Sequence, residues 1–97
     1  MRNYFRVMQD NFNDMDFRTI QNAREDLVGE IDAIIQYAAH LRATDNRAAQ
    51  LTTRDIMQEE MVHVGELMAL LFRLDSDFKK KFDEGVNEFN DRLARNN

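Results

Sequence analysis

The chain has 97 residues, with 13 Lys and Arg against 18 Asp and Glu, a formal net charge of -5 and 43% hydrophobic residues. A chain this short buries only about 60–65% of its unfolded surface, so a second chain is expected to complete its core. The absence of Cys excludes disulfides, Cys-ligated zinc, iron–sulfur clusters and thiol nucleophiles, and the acid excess argues against nucleic acid and against an anionic membrane as partners.

Residues 1–18 carry Tyr4, Met8, Phe12 and Met15 at helix-like spacing, interrupted by the turn formers Asn11, Asn13, Asp14 and Asp16. A short helix or packed arm is predicted there. From Thr19 to Arg42 the apolar residues Ile20, Ala23, Leu27, Ile31, Ile34, Ala38 and Leu41 keep the three-four spacing of one helix face. Thr44-Asp45-Asn46 is short and polar, with Asp45 or Asn46 suited to cap the next helix, so it reads as the turn of a helical hairpin. A second helix follows from Arg47 to Leu74, with Ala49, Thr53, Ile56, Met57, Val64, Leu67, Leu71 and Leu74 on its stripe. After the break at Asp75, the residues Phe78, Phe82, Val86, Phe89 and Leu93 mark a third amphipathic helix whose stripe must dock on the hairpin or on a neighbouring chain. The basic run Lys79 to Lys81 reads as solvated helix face. The longest apolar run, Leu67 to Phe72, is far below the ~20 residues that span a bilayer, and a cytoplasmic protein is expected. The prediction is a single all-α domain over 1–97, with an arm at 1–18, a hairpin at 19–74 and a C-terminal helix at 76–95.

The chemistry lies in what interrupts the stripes. On a wheel of ~100° per residue, Ala23, Leu27, Ile34, Tyr37 and Leu41 lie within about 60° of Glu30, and His63, Val64, Leu67 and Leu71 share the sector of Glu60. Two carboxylates and an imidazole therefore face inward. Burying an ionised carboxylate costs several kcal/mol unless it is paired or bound to a cation, so something must compensate them. With the turn centred near Asp45, Glu30 and Glu60 lie equally far on either side and sit level in antiparallel helices. His63, one turn past Glu60 on the same face, adds a nitrogen to the two oxygens. One Glu from one helix and a Glu-x-x-His from another make half of a carboxylate-bridged di-metal site, and a second copy would supply the other half together with the rest of a four-helix bundle. Oxygen-rich ligation suits iron or manganese, although spacing alone does not separate them from zinc.

At these residues the chain resembles the ferritin-like superfamily. Gly29-Glu30 followed by Tyr37, then Glu59-Glu60-Met61-Val62-His63 and the hydrophobic run to Leu74, carry the resemblance, which covers about residues 20–75. The one-hairpin format is similar to encapsulated ferritin-like proteins. The resemblance implies that Glu30, Glu60 and His63 bind the metals and act in catalysis, that two subunits share a di-iron ferroxidase centre, that dimers assemble into larger rings, and that a shell protein encloses them. Tyr37 matches an aromatic near the site. No cargo-targeting peptide is visible after Leu93, and residues 1–18 match nothing in the family pattern. Rubrerythrins share the helical motifs but add a Cys-rich iron domain, which this chain cannot build.

Other residues read more plainly. Tyr37, Glu59 and Glu66 are candidates to support the ligands rather than to bind metal, with Glu59 and Glu66 about 100–120° from Glu60 on the wheel. Asp26 and Asp32 are placed to guide cations or simply to be solvated, and His40 lies off the Glu30 sector. Met57, Met61 and Met68 are expected in the core, with Gly29 and Gly65 at close helix contacts. The expected activity is oxidation of Fe(II) in support of iron storage. Peroxide scavenging of the rubrerythrin type and a non-catalytic metal-stabilised helical module are the alternatives.

Overall fold

The computed structural model describes residues 14–96 and is helical nearly throughout: α1 Asp14–Ala43, α2 Arg47–Leu74 and α3 Ser76–Arg95. Residues 1–13, and with them most of the expected arm, lie outside the described residues. Periodicity alone starts the first helix at Thr19, whereas α1 begins at Asp14. Asp16, a turn former by residue type, lies within the helix. Met15, in the same turn, is exposed.

Caps fix the other boundaries. The Asn46 side chain accepts a hydrogen bond from the Ala49 N–H at 2.9 Å, and the Asn46 N–H donates to Thr44 Oγ1 at 3.2 Å, which closes the three-residue turn and starts α2. Asp75 ends α2 and begins α3. Its backbone N–H donates to the Leu71 carbonyl at 2.8 Å, its Oδ1 accepts from the Phe78 N–H at 3.1 Å, and its Oδ2 accepts from Arg24 Nη2 at 3.1 Å. One buried carboxylate thus ties α1, α2 and α3 together.

The core sits at that end of the hairpin. Ile20, Ala23 and Leu71 are buried, and Phe17, Leu27, Leu74 and Phe78 pack around them. Along the rest of the hairpin the facing stripes are half-buried, because a two-helix layer covers each apolar stripe from one side only. Ile31, expected on the buried stripe, is 45% exposed, and Met61, expected in the core, is 50% exposed. Both lie on the side of the hairpin that turns away from Glu30 and Glu60. Gly29 and Gly65 do not mark close contacts within the chain, since a Cβ at either would meet nothing within 4 Å. From Asp75, α3 leaves the hairpin, and the molecule spans 52 × 43 × 22 Å. Among the described residues no helix is long and apolar enough to cross a membrane.

Candidate metal centre

Glu30 lies midway along α1, and Glu60 and His63 are one turn apart on α2. The turn at Thr44–Asn46 brings the two segments level, and the three side chains converge. His63 Nδ1 lies 3.4 Å from Glu30 Oε1 and 3.7 Å from Glu60 Oε2. One ligand atom from each residue falls within 4.8 Å of the others, and this is the group that could hold a metal ion among the described residues. Two ligands about 2.1 Å from a common ion, at angles near 90–110°, stand roughly 3.0–3.4 Å apart. The two separations to the imidazole nitrogen lie at or just beyond this range, and the ligand atoms of all three residues lie within 4.8 Å of one another.

The electrostatics point the same way. The Glu30 and Glu60 side chains are 25% and 19% exposed, and both lie beside the 46% exposed His63 imidazole. Glu30 Oε2 is buried and accepts no hydrogen bond. A buried carboxylate oxygen without a donor is costly, and an ion at that position would remove the cost. The His63 imidazole lies beside one oxygen of each carboxylate and leaves Glu30 Oε2 unserved. Arg24, on the same helix as Glu30, donates to Asp75 and Gln21.

The three residues open onto a cleft of about 760 Å³ lined by Glu25, Asp26, Gly29, Glu66, Leu67 and Leu70 as well. Its mouth is acidic, which raises the local concentration of cations. Asp26 and Glu66 thus share the site's open face, whereas Glu59 is exposed and outside that lining. Tyr37 is half-buried and meets His40 edge-on at 6.3 Å between ring centroids. Asp32 points elsewhere and accepts from Gln36 Nε2 at 2.9 Å. Glu25 was not singled out from sequence, because its wheel position faces away from Glu30. Extending the level-pairing arithmetic by one turn, which sets Glu25 beside Gly65 and Glu66, would have found it.

No family model matches the chain, and no solved structure matches it. Over 74 residues it is 34% identical to the encapsulin nanocompartment cargo protein EncC of Myxococcus xanthus, covering 76% of this chain and 57% of the relative. Over 62 residues it is 34% identical to a ferritin-like-encapsulin shell fusion protein of Pyrococcus furiosus, covering 64% of this chain and 18% of that protein. The chain thus spans little more than half of the first relative and under a fifth of the second.

Proposed function

We infer that the chain is half of a di-metal carboxylate centre and that two copies, joined across the acidic cleft, form a four-helix bundle that oxidises Fe(II). The observation that carries this reading is the convergence of Glu30, Glu60 and His63, with Glu30 Oε2 buried and unpartnered. Glu60 and His63, on one helical face, would offer an ion an oxygen and a nitrogen ligand. Glu30 reaches from the opposite helix with one oxygen toward His63 and a second buried without a donor, so it would supply carboxylate oxygen to the same centre. Iron enters as substrate and dioxygen as the electron acceptor: two Fe(II) give one electron each, and the pair of electrons with two protons reduces one dioxygen to hydrogen peroxide. The hairpin at 19–74 then carries the site, while 76–95 lies outside it. Similarity to an encapsulin cargo protein and to a ferritin-like shell fusion supports a shell protein as partner and iron handling in a nanocompartment as the setting.

The decisive experiment mixes anaerobic Fe(II)-loaded protein with oxygen in a stopped-flow instrument, at one and two irons per dimer, with and without zinc. Oxidation is expected only when both positions are filled and is expected to be blocked by zinc, which has no accessible redox change. A rate equal to that of protein-free buffer at both loadings removes the ferroxidase reading and leaves a metal-binding bundle. Peroxide turnover with an external electron donor, without comparable oxygen use, transfers the assignment to peroxide scavenging.

A further inference from the structure

His63 turns one ring nitrogen to the carboxylates, with Nδ1 3.4 Å from Glu30 Oε1 and 3.7 Å from Glu60 Oε2. A neutral imidazole whose Nδ1 serves as a ligand carries its proton on Nε2, at the far edge of the ring. That edge belongs to the part of the side chain that faces the open cleft. An imidazole that holds a metal almost always donates this second N–H to a carboxylate, a carbonyl or water, which fixes the tautomer and the direction of the ring. Among the described residues the contacts of His63 to carboxylates run through Nδ1, so the acceptor for Nε2 has to come from a side chain that can swing to it. Four carboxylates stand near enough to be considered: Glu25 and Asp26 on α1, and Glu59 and Glu66 on α2.

The direction of helical side chains separates the four. Every Cα–Cβ bond of a helix tilts toward the N-terminus, so a side chain covers the turn that precedes its own Cα. Glu66 follows His63 by three residues and is inclined back over it. Glu59 precedes His63 by four residues and is inclined toward Asp55, and it lies outside the cleft lining. Glu25 and Asp26 stand about level with Gly65 and Val64. Because α1 runs antiparallel to α2, the same backward tilt carries them away from His63, toward the level of Met68.

Glu66 is also unclaimed. Among the described residues it makes no ion pair or hydrogen bond, and it lines the cleft beside His63 and Leu67. It is not one of the three residues whose ligand atoms lie within 4.8 Å of one another, which places it next to the imidazole rather than next to an ion.

We propose that Glu66 is a positioning residue of the centre: its carboxylate accepts from the Nε2–H of the ligating His63 and holds Nδ1 toward Glu30 and Glu60. The proposal rests on the di-metal reading above. It sets Glu66 apart from Glu25 and Asp26, whose part at the cleft mouth is charge alone.

Substitutions at Glu66 separate a hydrogen bond from a charge, because Gln keeps a carbonyl acceptor and loses the charge, whereas Ala loses both. The first measurement is calorimetric titration of the full chain with Zn(II). Glu66→Ala is expected to lower the affinity about 10–100-fold, and Glu66→Gln to recover most of that loss. Asp26→Ala, a loss of charge only, should weaken binding slightly and by less as salt is added, whereas the Glu66→Ala loss should persist in salt. The second measurement is the proton resonance of the His63 Nε2–H in isotope-labelled, Zn(II)-loaded protein. It is read in His40→Gln, which leaves His63 as the single imidazole of the chain. Loss of the carboxylate acceptor in Glu66→Ala should move this resonance upfield, with Glu66→Gln between the two. All the replaced side chains are exposed, and helical content by circular dichroism checks that the variants fold. Glu66→Gln as weak as Glu66→Ala, or a Glu66→Ala loss no larger than that of Asp26→Ala, leaves only charge and overturns the proposal. An unmoved Nε2–H resonance overturns it as well. Each of these results leaves the di-metal reading standing, because the parent still binds; a parent that takes up no metal in the titration removes both.

Discussion

Asp75 is the residue on which the single chain's architecture turns, and replacing it should be costly in two separable ways. Its side chain is 1% exposed and that of its partner Arg24 is 26% exposed. Asp75→Ala removes the cap on α3, worth about 1 kcal/mol with a range of 0.5–2. It also removes one acceptor of Arg24, which keeps its bond to Gln21. Breaking a fully buried ion pair costs about 3–5 kcal/mol, and the exposure of Arg24 brings this down to roughly 1–2, because water can solvate the freed guanidinium. The total is about 2–4 kcal/mol. Asp75→Asn keeps an oxygen for the Phe78 N–H but turns an amide donor toward the Arg24 donor, so it should lose only the second part and be about 1 kcal/mol more stable than Asp75→Ala. Urea unfolding followed by circular dichroism, in chelator and at fixed protein concentration, measures both. Since Asp75 lies twelve residues beyond His63, about 18 Å along the helix direction, metal stoichiometry of the folded fraction should not change. If Asp75→Asn is as stable as the parent, the Arg24 contact contributes nothing. If the two variants are equally unstable, the cap contributes nothing, and either result refutes the account of this junction.

Further outcomes follow from the same structure. Glu30→Ala, Glu60→Ala and His63→Ala should each abolish or sharply weaken binding of the metal pair in calorimetric titration with Fe(II) or Mn(II), whereas Glu59→Ala should bind nearly as the parent does; an unchanged stoichiometry in Glu30→Ala rejects the shared centre. Leu71→Ala, at the middle of the buried cluster, should cost about 2–5 kcal/mol in denaturant unfolding. Metal should shift the full chain toward an even-numbered oligomer in light scattering, and a stable metal-loaded monomer contradicts this.

Caps and spacing made most of the helices legible. The end of α2 at Leu74 and the start of α3 at Ser76 could be read because one residue, Asp75, both stops and starts a helix. Asn46 did the same for the start of α2. The residues before Thr19 were harder, because Asp16 counts as a turn former by type yet lies within α1. The convergence of Glu30, Glu60 and His63 followed from two simple rules, an inward wheel position and equal distance from the turn. Burial was less legible. A stripe shows which face is apolar but not whether the chain has enough material to cover it, so Ile31 and Met61 are exposed although they belong to apolar patterns. Glu25 was missed because the wheel sorts residues by angle alone, while an open cleft also collects side chains from its rim.

The position of the candidate site relative to the core is informative in itself. Ile20, Ala23 and Leu71 fasten the hairpin at one end, and the Asn46 cap fastens the turn at the other. Glu30, Glu60 and His63 lie between these two fixed points, where the facing stripes are only half-buried. Apolar residues at Glu30 and Glu60 would extend the core along the hairpin and stabilise the single chain. The carboxylates instead interrupt it at the level where both helices could pack most continuously, and Glu30 Oε2 is left buried without a donor. A chain whose described residues bury so small a core forgoes that stabilisation only where a ligand returns it. On the reading proposed here, metal and the second hairpin return it together, which couples site filling to assembly: the half-site is weakest in the isolated chain and is completed by the same partner that covers the cleft.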